Sequence, residues 1–454
     1  MNLNSSWSSK AIFYHIYPLG LCDAPSYPDY HNPPVERLNK LFDWIPFIKN
    51  LGCNALYLGP LFESSNHGYD TADYYHVDKR LGTNQTLKNF SNQLRQNDIK
   101  LVFDGVFNHV GRDFWAFRDL QIHGENSRYK DWFLGINFSR KSPFGDNFTY
   151  DCWSGHYNLV KLNLKNEEVK SHIFGAVAMW MDEFGIEGIR LDVAEVMDKG
   201  FLKELTDFCK KKNPDFWLLG EMIHGDYNQL ANRNLLDSTT NYESYKGLYS
   251  SHNDANYFEI AYSFNRQFGE NGVYKDLQLY NFVDNHDVTR IASMLQNEAH
   301  LFPLHALLFG MPGIPAIYYG SERGQKGHKI GNDDGILRPS LDIIPNHIIP
   351  PIFNFIQKLA AIRTTNIAIQ IGKYKQLYLA HQQFAFLRYT DAEFNIIAVN
   401  SSANPVSIKM SVNLPTGSVL KDLLEPQNTA VVHQNEIIIQ DIPPFGARIF
   451  DRQN

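Results

Sequence analysis

Short apolar runs recur along the chain with helix-like stretches between them, and this alternation predicts parallel β-strands joined by crossover helices. Candidate strands cover residues 12–18, 54–61, 100–107, 188–193, 216–220, 279–283 and 314–320, with a weak one at 238–242. Eight such strands close a (β/α)8 TIM barrel, so the expected class is α/β. Before the fourth strand, Asn166 can cap a helix whose first turn carries Glu167 and Glu168. Its apolar stripe runs through Ile173, Val177, Trp180, Met181 and Phe184, and Gly185 ends it.

Two regions break this rhythm. Residues 110–165 are rich in Trp, Tyr, Asn and Gly with little periodicity, and a stretch that long is usually functional or has structure of its own. After about residue 370 the pattern turns to short alternating strands with Pro405, Pro415 and Pro426 in or near turns, which predicts an antiparallel β domain. The expected organisation is therefore a barrel from 1–109 and 166–370, an insertion domain at 110–165 after the third strand, and a C-terminal antiparallel β-sandwich at 371–454. No internal repeat or low-complexity tract interrupts it.

Four of the strand-like runs stop at ionisable side chains: LVFDGVFNH (101–109), GIRLDVAEV (188–196), FWLLGEMIH (216–224) and LYNFVDNHD (279–287). They offer His109, then Arg190 with Asp192, then Glu221, then His286 with Asp287. A parallel barrel places such residues at its catalytic rim. Any one acid after a strand is most simply a cap or a surface charge, but four successive cases are not. Three carboxylates with an arginine and two histidines suit displacement at a sugar's anomeric carbon, where one carboxylate attacks and a second, protonated, assists the leaving oxygen.

Composition narrows the partners. Hydrophobic residues at 43% and charged residues at 20% describe a globular protein, and no apolar run approaches the ~20 residues that a membrane span needs. A net charge of −7 without a basic stripe excludes nucleic acid. The four cysteines, Cys22, Cys53, Cys152 and Cys209, lack CxxC spacing and read as reduced thiols. The amino-terminal stretch carries no charged segment followed by an apolar one and a cleavage site, so a cytoplasmic location is expected.

These segments resemble the α-amylase family of glycoside hydrolases and transglycosidases. DGVFNH (104–109), GIRLDVAEV, the GE of 220–221 and FVDNHD (282–287) are similar to its four signature segments, in the same order. HGYDTADYYHVD (67–78) is similar to its loop after the second strand, and GIPAIYYGSE (313–322) to its eighth strand. The resemblance implies Asp192 as nucleophile, Glu221 as general acid/base and Asp287 as the carboxylate that stabilises the transition state. An arginine beside Asp192 is expected to keep it ionised. For substrate binding it implies Tyr69 stacked on the sugar, Asp70 fixing its neighbours, Arg190 beside the nucleophile, His109 and His286 donating to hydroxyls, and Asp334 with Arg338 at the next sugar. Asn108 matches a residue that binds structural calcium in many members. No companion carboxylates accompany it in the insertion, so no cofactor or metal is expected.

One departure bears on substrate. Many starch-degrading members carry Lys-His three and four positions after the nucleophile, where this chain has Glu195 and Val196. LVKLN (159–163), RLDVAEV and GEMIH look instead like the neopullulanase, cyclomaltodextrinase and maltogenic amylase branch. That branch usually has a β domain before the barrel, and here the first strand starts near residue 11. The expected activity is retaining cleavage of α-1,4-glucosidic bonds in maltooligosaccharides or cyclodextrins, an α-glucan oligosaccharide being the partner, with some glycosyl transfer. An α-glucosidase or dedicated transglycosidase would use the same residues, and an inactive binding homologue would have lost carboxylates that this chain keeps.

Overall fold

The computed structural model describes residues 6–29, 32–331 and 333–452. The amino-terminal stretch read for targeting begins in residues 1–5, outside those described. Three strands open the barrel, β1 (Phe13–Ile16), β2 (Ala55–Leu58) and β3 (Lys100–Gly105), each parallel to the next. The chain then leaves for a small antiparallel sheet of β4 (His109–Gly111), β5 (Cys152–Trp153) and β6 (His156–Lys161). It returns through β7 (Gly188–Leu191), β8 (Trp217–Gly220), β9 (Ser238–Thr239), β10 (Tyr280–Asn281) and β11 (Ile314–Tyr318). In space the order is β10-β11-β1-β2-β3-β7-β8-β9, and a parallel bridge from Thr240 to Tyr280 joins the two ends. The eight expected strands thus form one parallel barrel, the weak sixth being only two residues long.

Parallel strands are covered on both faces, so they can be apolar throughout rather than alternating. Every residue of β1, β2, β7 and β8 is buried. Phe13, Tyr57, Val102, Trp217 and Tyr280 fill the interior, with Phe13 stacked on Trp217 at 5.1 Å. Several of these lie at strand starts, so a packed apolar floor supports the opposite, C-terminal rim.

The helix ahead of β7 begins as its sequence predicts. Asn166 accepts from the N–H groups of Glu168 and Val169, and Glu167–Met179 is α-helical. Its end differs. Trp180–Phe184 forms a π turn before Gly185, at φ 61°, stops it. The wider turn buries Trp180 and Phe184 completely and leaves Met181 half-buried, so the stripe is narrower there than expected. Trp180 stacks on Phe62 at 4.5 Å beneath the loop that follows β2.

The C-terminal part is antiparallel. It comprises β12 (Lys373–Leu379), β13 (Gln383–Tyr389), β14 (Phe394–Asn400), β15 (Val406–Ser411), β16 (Val419–Asp422), β17 (Thr429–Val431), β18 (Glu436–Ile442) and β19 (Gly446–Arg452). Six of them form a sheet in the order β12-β13-β14-β19-β16-β17, and β15 pairs with β18. The helix Leu301–Gly310, buried except for Phe302, lies between barrel and sheet. Among the described residues no helix is long and apolar enough to cross a membrane.

Candidate active site

β7 and β8 end side by side, and their last residues set the site. Asp192 follows β7 and Glu221 follows β8; their N–H groups still donate to Gly105 and Leu191, which continues the strand geometry to the rim. Arg190, inside β7, points its guanidinium between them. Its Nη1 pairs with Asp192 Oδ1 at 2.9 Å and Asp104 Oδ1 at 2.9 Å, and its Nη2 with Glu221 Oε1 at 2.6 Å. All four side chains are buried. Two residues apart on one strand face, Arg190 and Asp192 meet as the pleat requires.

Electrostatics at this point correct one expectation. Burial raises the Asp192 carboxyl well above its ordinary range, outweighing the pull of Arg190. Burial raises Glu221 as well, again against Arg190. One guanidinium among three carboxylates does not by itself keep the nucleophile charged. At both Asp192 and Glu221 burial disfavours the charged form against the pull of the guanidinium between them. Asp287 behaves oppositely. Burial works against its charge, yet His286 and Arg338 outweigh it and hold the carboxyl well below its usual range. His286 Nε2 lies 3.0 Å from Asp287 Oδ2, and Arg338 Nη2 lies 3.0 Å from Oδ1.

The remaining sequence-predicted residues surround this centre. Tyr69 stacks on His286 with centroids 5.3 Å apart; its hydroxyl touches His286 Nε2 and donates to Asp104 Oδ2 at 2.9 Å. Asp70 accepts the N–H groups of His67 and Gly68, both at 3.1 Å, so it fixes the turn presenting Tyr69. His109 starts β4 with Nε2 3.9 Å from Asp192 Oδ2, and burial lowers it to about 3, which leaves it neutral. Asp334 pairs with Arg338 at 3.1 Å, and through Arg338 joins Asp287. Asn108 lies within hydrogen-bond distance of His109 Nδ1, at 3.2 Å. Among the described residues no three His, Cys, Asp or Glu are placed to hold a metal ion.

Several participants escaped the sequence reading. Asp104, the first residue of the DGVFNH segment, accepts from Arg190, Tyr57 and Tyr69; an acid inside a buried apolar strand was the available signal. His15 lies below, its ring 4.1 Å from Tyr57 and edge-on to His286 at 5.2 Å. Tyr17 stacks on His286, and the Arg338 guanidinium lies over the Tyr17 ring, 4.6 Å from its centroid. Tyr242, at the start of the helix after β9, accepts from Asn285 Nδ2 at 3.2 Å. Lys329 donates to the Asp287 carbonyl at 2.9 Å and pairs with Asp334 at 3.0 Å. Nothing local marks these four, because each acquires its place from an element distant in sequence.

Over most of its length the chain is similar to known proteins. The chain is 30% identical to a cyclomaltodextrinase of Thermoanaerobacter pseudethanolicus, over 87% of this chain and 71% of that protein. It is 28% identical to a cyclomaltodextrinase of a Bacillus species, over 91% of this chain and 76% of that one. A solved cyclomaltodextrinase structure superposes with a TM-score of 0.86 at 26% identity, covering 98% of this chain and 78% of its own. The family profile "Alpha amylase, catalytic domain" matches residues 32–349, more than half the chain. The protein belongs to the α-amylase family and is a glycoside hydrolase.

Proposed function

We propose that this enzyme cleaves α-1,4-glucosidic bonds in maltooligosaccharides and cyclodextrins with retention of configuration. The observation that carries the proposal is the guanidinium of Arg190, which gathers the carboxyls of Asp192 and Glu221 from adjacent strand ends. Direct attack needs the two carboxyls about 5–5.5 Å apart, whereas inversion needs room for a water between them. Two carboxyls on one guanidinium favour the closer arrangement.

In this reading the reactive form carries a proton on Glu221 and the charge on Asp192. The Asp192 oxygen bonds to the anomeric carbon while the C–O bond to the leaving sugar breaks and Glu221 gives that oxygen its proton. Glu221 then takes a proton from water, which displaces Asp192 with a second inversion. Asp287, kept ionised by His286 and Arg338, faces the cationic ring of the transition state. Neutral His109, together with His286, Tyr69 and Arg338, positions hydroxyls around that ring. Two similar proteins are named cyclomaltodextrinases, and another is named neopullulanase 2; these names support the substrate class. Four free cysteines and a relative named intracellular maltogenic amylase support work in a reducing compartment.

The test is a time course of products from maltotriose, a cyclodextrin, pullulan, isomaltose and sucrose. Early opening of cyclodextrin with release of maltose supports the proposal. Activity confined to isomaltose or sucrose would overturn it in favour of an α-glucosidase or a transglycosidase.

A further inference from the structure

The loops leaving β7 and β8 exchange hydrogen bonds in both directions. Val193, directly after Asp192, donates its N–H to Glu221 Oε2 at 2.9 Å. Glu195, two residues on, accepts the N–H groups of Ile223 and His224 on one oxygen, both at 3.1 Å. The nucleophile's loop thus gives a donor to the neighbouring carboxyl and a carboxylate to that carboxyl's own loop. To reach this arrangement the chain holds Val193 at φ 44°. A β-branched residue is rarely left-handed, and such strain costs ~1–3 kcal/mol and persists only where the surroundings over-determine it. Glu195 lies in the single turn Ala194–Val196 that follows, at the open side of the site, where Val196 and Ile223 are also exposed. It occupies the stretch where the sequence departs from the Lys-His of starch-degrading relatives.

We propose that Glu195 is a positioning residue for the proton donor. By holding the N–H groups of Ile223 and His224 it fixes the segment that starts at Glu221, so the Glu221 carboxyl meets the leaving oxygen. Glu195 transfers no proton itself. Proton delivery needs a heavy-atom approach of roughly 2.6–3.2 Å, and bonds from N–H groups to a carboxylate are the stronger, shorter kind that set such distances. The inference rests on the assignment of Glu221 as general acid/base.

Two substrates separate positioning of the acid from any other role. Maltotriose must have its leaving hydroxyl protonated, while α-maltosyl fluoride loses fluoride with little acid assistance. General acid groups contribute ~10²–10⁴-fold, and a misplaced one forfeits part of that. Glu195→Ala is expected to lower kcat/KM on maltotriose by about tenfold and on the fluoride by less than about twofold, with the melting temperature unchanged. Glu195→Gln keeps an oxygen for both N–H groups and restores most of the loss. Equal losses on the two substrates, no loss on either, or a Gln variant no better than Ala would each overturn the proposal. Glu221→Gln serves as the reference: if it also fails to separate the substrates, the assignment of Glu221 is at fault; if it separates them and Glu195→Ala does not, the brace alone fails.

Discussion

Two regions of this molecule, among those that bury arginines, neutralise the charge in opposite ways. At the rim, Arg190 is surrounded by Asp104, Asp192 and Glu221, and despite burial it is held well above its ordinary range by Asp104 and Glu221. At the junction with the C-terminal sheet, Arg363 and Arg388 are fully buried, and among the described residues neither has a carboxylate partner. Burial lowers Arg363 to about 9 and lowers Arg388 as well, with Arg363 adding to it. Their protons go to main-chain carbonyls instead. Arg388 donates to Gly310 at 2.7 Å and Gly372 at 2.8 Å; Arg363 donates to Gly313 at 2.7 Å and Ile369 at 3.1 Å.

Gly310 ends the helix Leu301–Gly310, and Gly372 caps the short helix Ile367–Ile371. The negative ends of helices, with unsatisfied carbonyls, are natural partners for a buried cation. The comparison teaches what each region is for. Carbonyls do not titrate, so these junction contacts depend on pH only through the arginines themselves. Carboxylates exchange protons, so the rim is built for chemistry at a cost in repulsion.

The largest effect should come from removing charge at the rim. Asp192→Asn, Glu221→Gln and Asp287→Asn should each lower turnover on maltooligosaccharides by ~10²–10⁴-fold or more, because the three act together. Asp192→Asn and Glu221→Gln also relieve repulsion among buried acids, so calorimetry should find them melting within about 3 °C of the parent, whereas Asp287→Asn loses the charge pairs with His286 and Arg338 and should melt lower. Near-parental turnover in any of them would remove that residue from the mechanism.

The junction should respond the other way. Arg388→Met leaves the Gly310 and Gly372 carbonyls without a donor and should cost about 2–4 kcal/mol in denaturant unfolding, while kcat at a permissive temperature changes little. An Arg388→Met enzyme that kept its stability but lost its turnover would invert the comparison.

Histidines sharpen it at low pH. Burial lowers His109 at the rim to about 3 and His305 in the junction helix to about 4. The unfolded chain binds these protons near the ordinary value of about 6.5. Stability from keeping the two neutral is therefore present above that pH and is lost as pH falls towards 4. Replacing His305 with Gln should flatten the fall of unfolding free energy between pH 6.5 and 4 without touching the pH profile of kcat/KM, whereas His109→Asn should flatten it and lower kcat/KM. A smaller effect still is expected from chelation. EDTA should leave melting and activity within a few per cent, since charge in both regions is met by protein groups; a drop restored by calcium would reveal ligands beside Asn108.

What was readable in the sequence follows the same division. β1, β2, β3, β7, β8 and β11 were legible because strands buried on both faces are mainly apolar runs. Asp192, Glu221 and Asp287 were legible because each ends such a run inside a signature segment. Asp104 was in plain view within one of those segments, but its meaning lies in Tyr57, Tyr69 and Arg190, which arrive from three other parts of the chain. Lys329 and Tyr242 depend on loops whose shape no local pattern encodes. Arg363 and Arg388 could not have been read, since a carbonyl partner leaves no mark on a sequence. The π turn at Trp180 was hidden because the apolar spacing of 173–184 fits an ordinary helix nearly as well.

The central claim is that Asp192 attacks the sugar while Glu221 gives its proton to the leaving oxygen. A 5-fluoro-α-glucosyl fluoride, which forms the first intermediate readily and releases it slowly, tests this most directly when the enzyme is digested and its peptides are weighed. The mass of one fluoroglucosyl unit should appear on the peptide containing Asp192, and it should disappear when excess maltose turns the intermediate over. A label on Glu221 or Asp287, or no label together with inverted first products by proton NMR, would contradict the account.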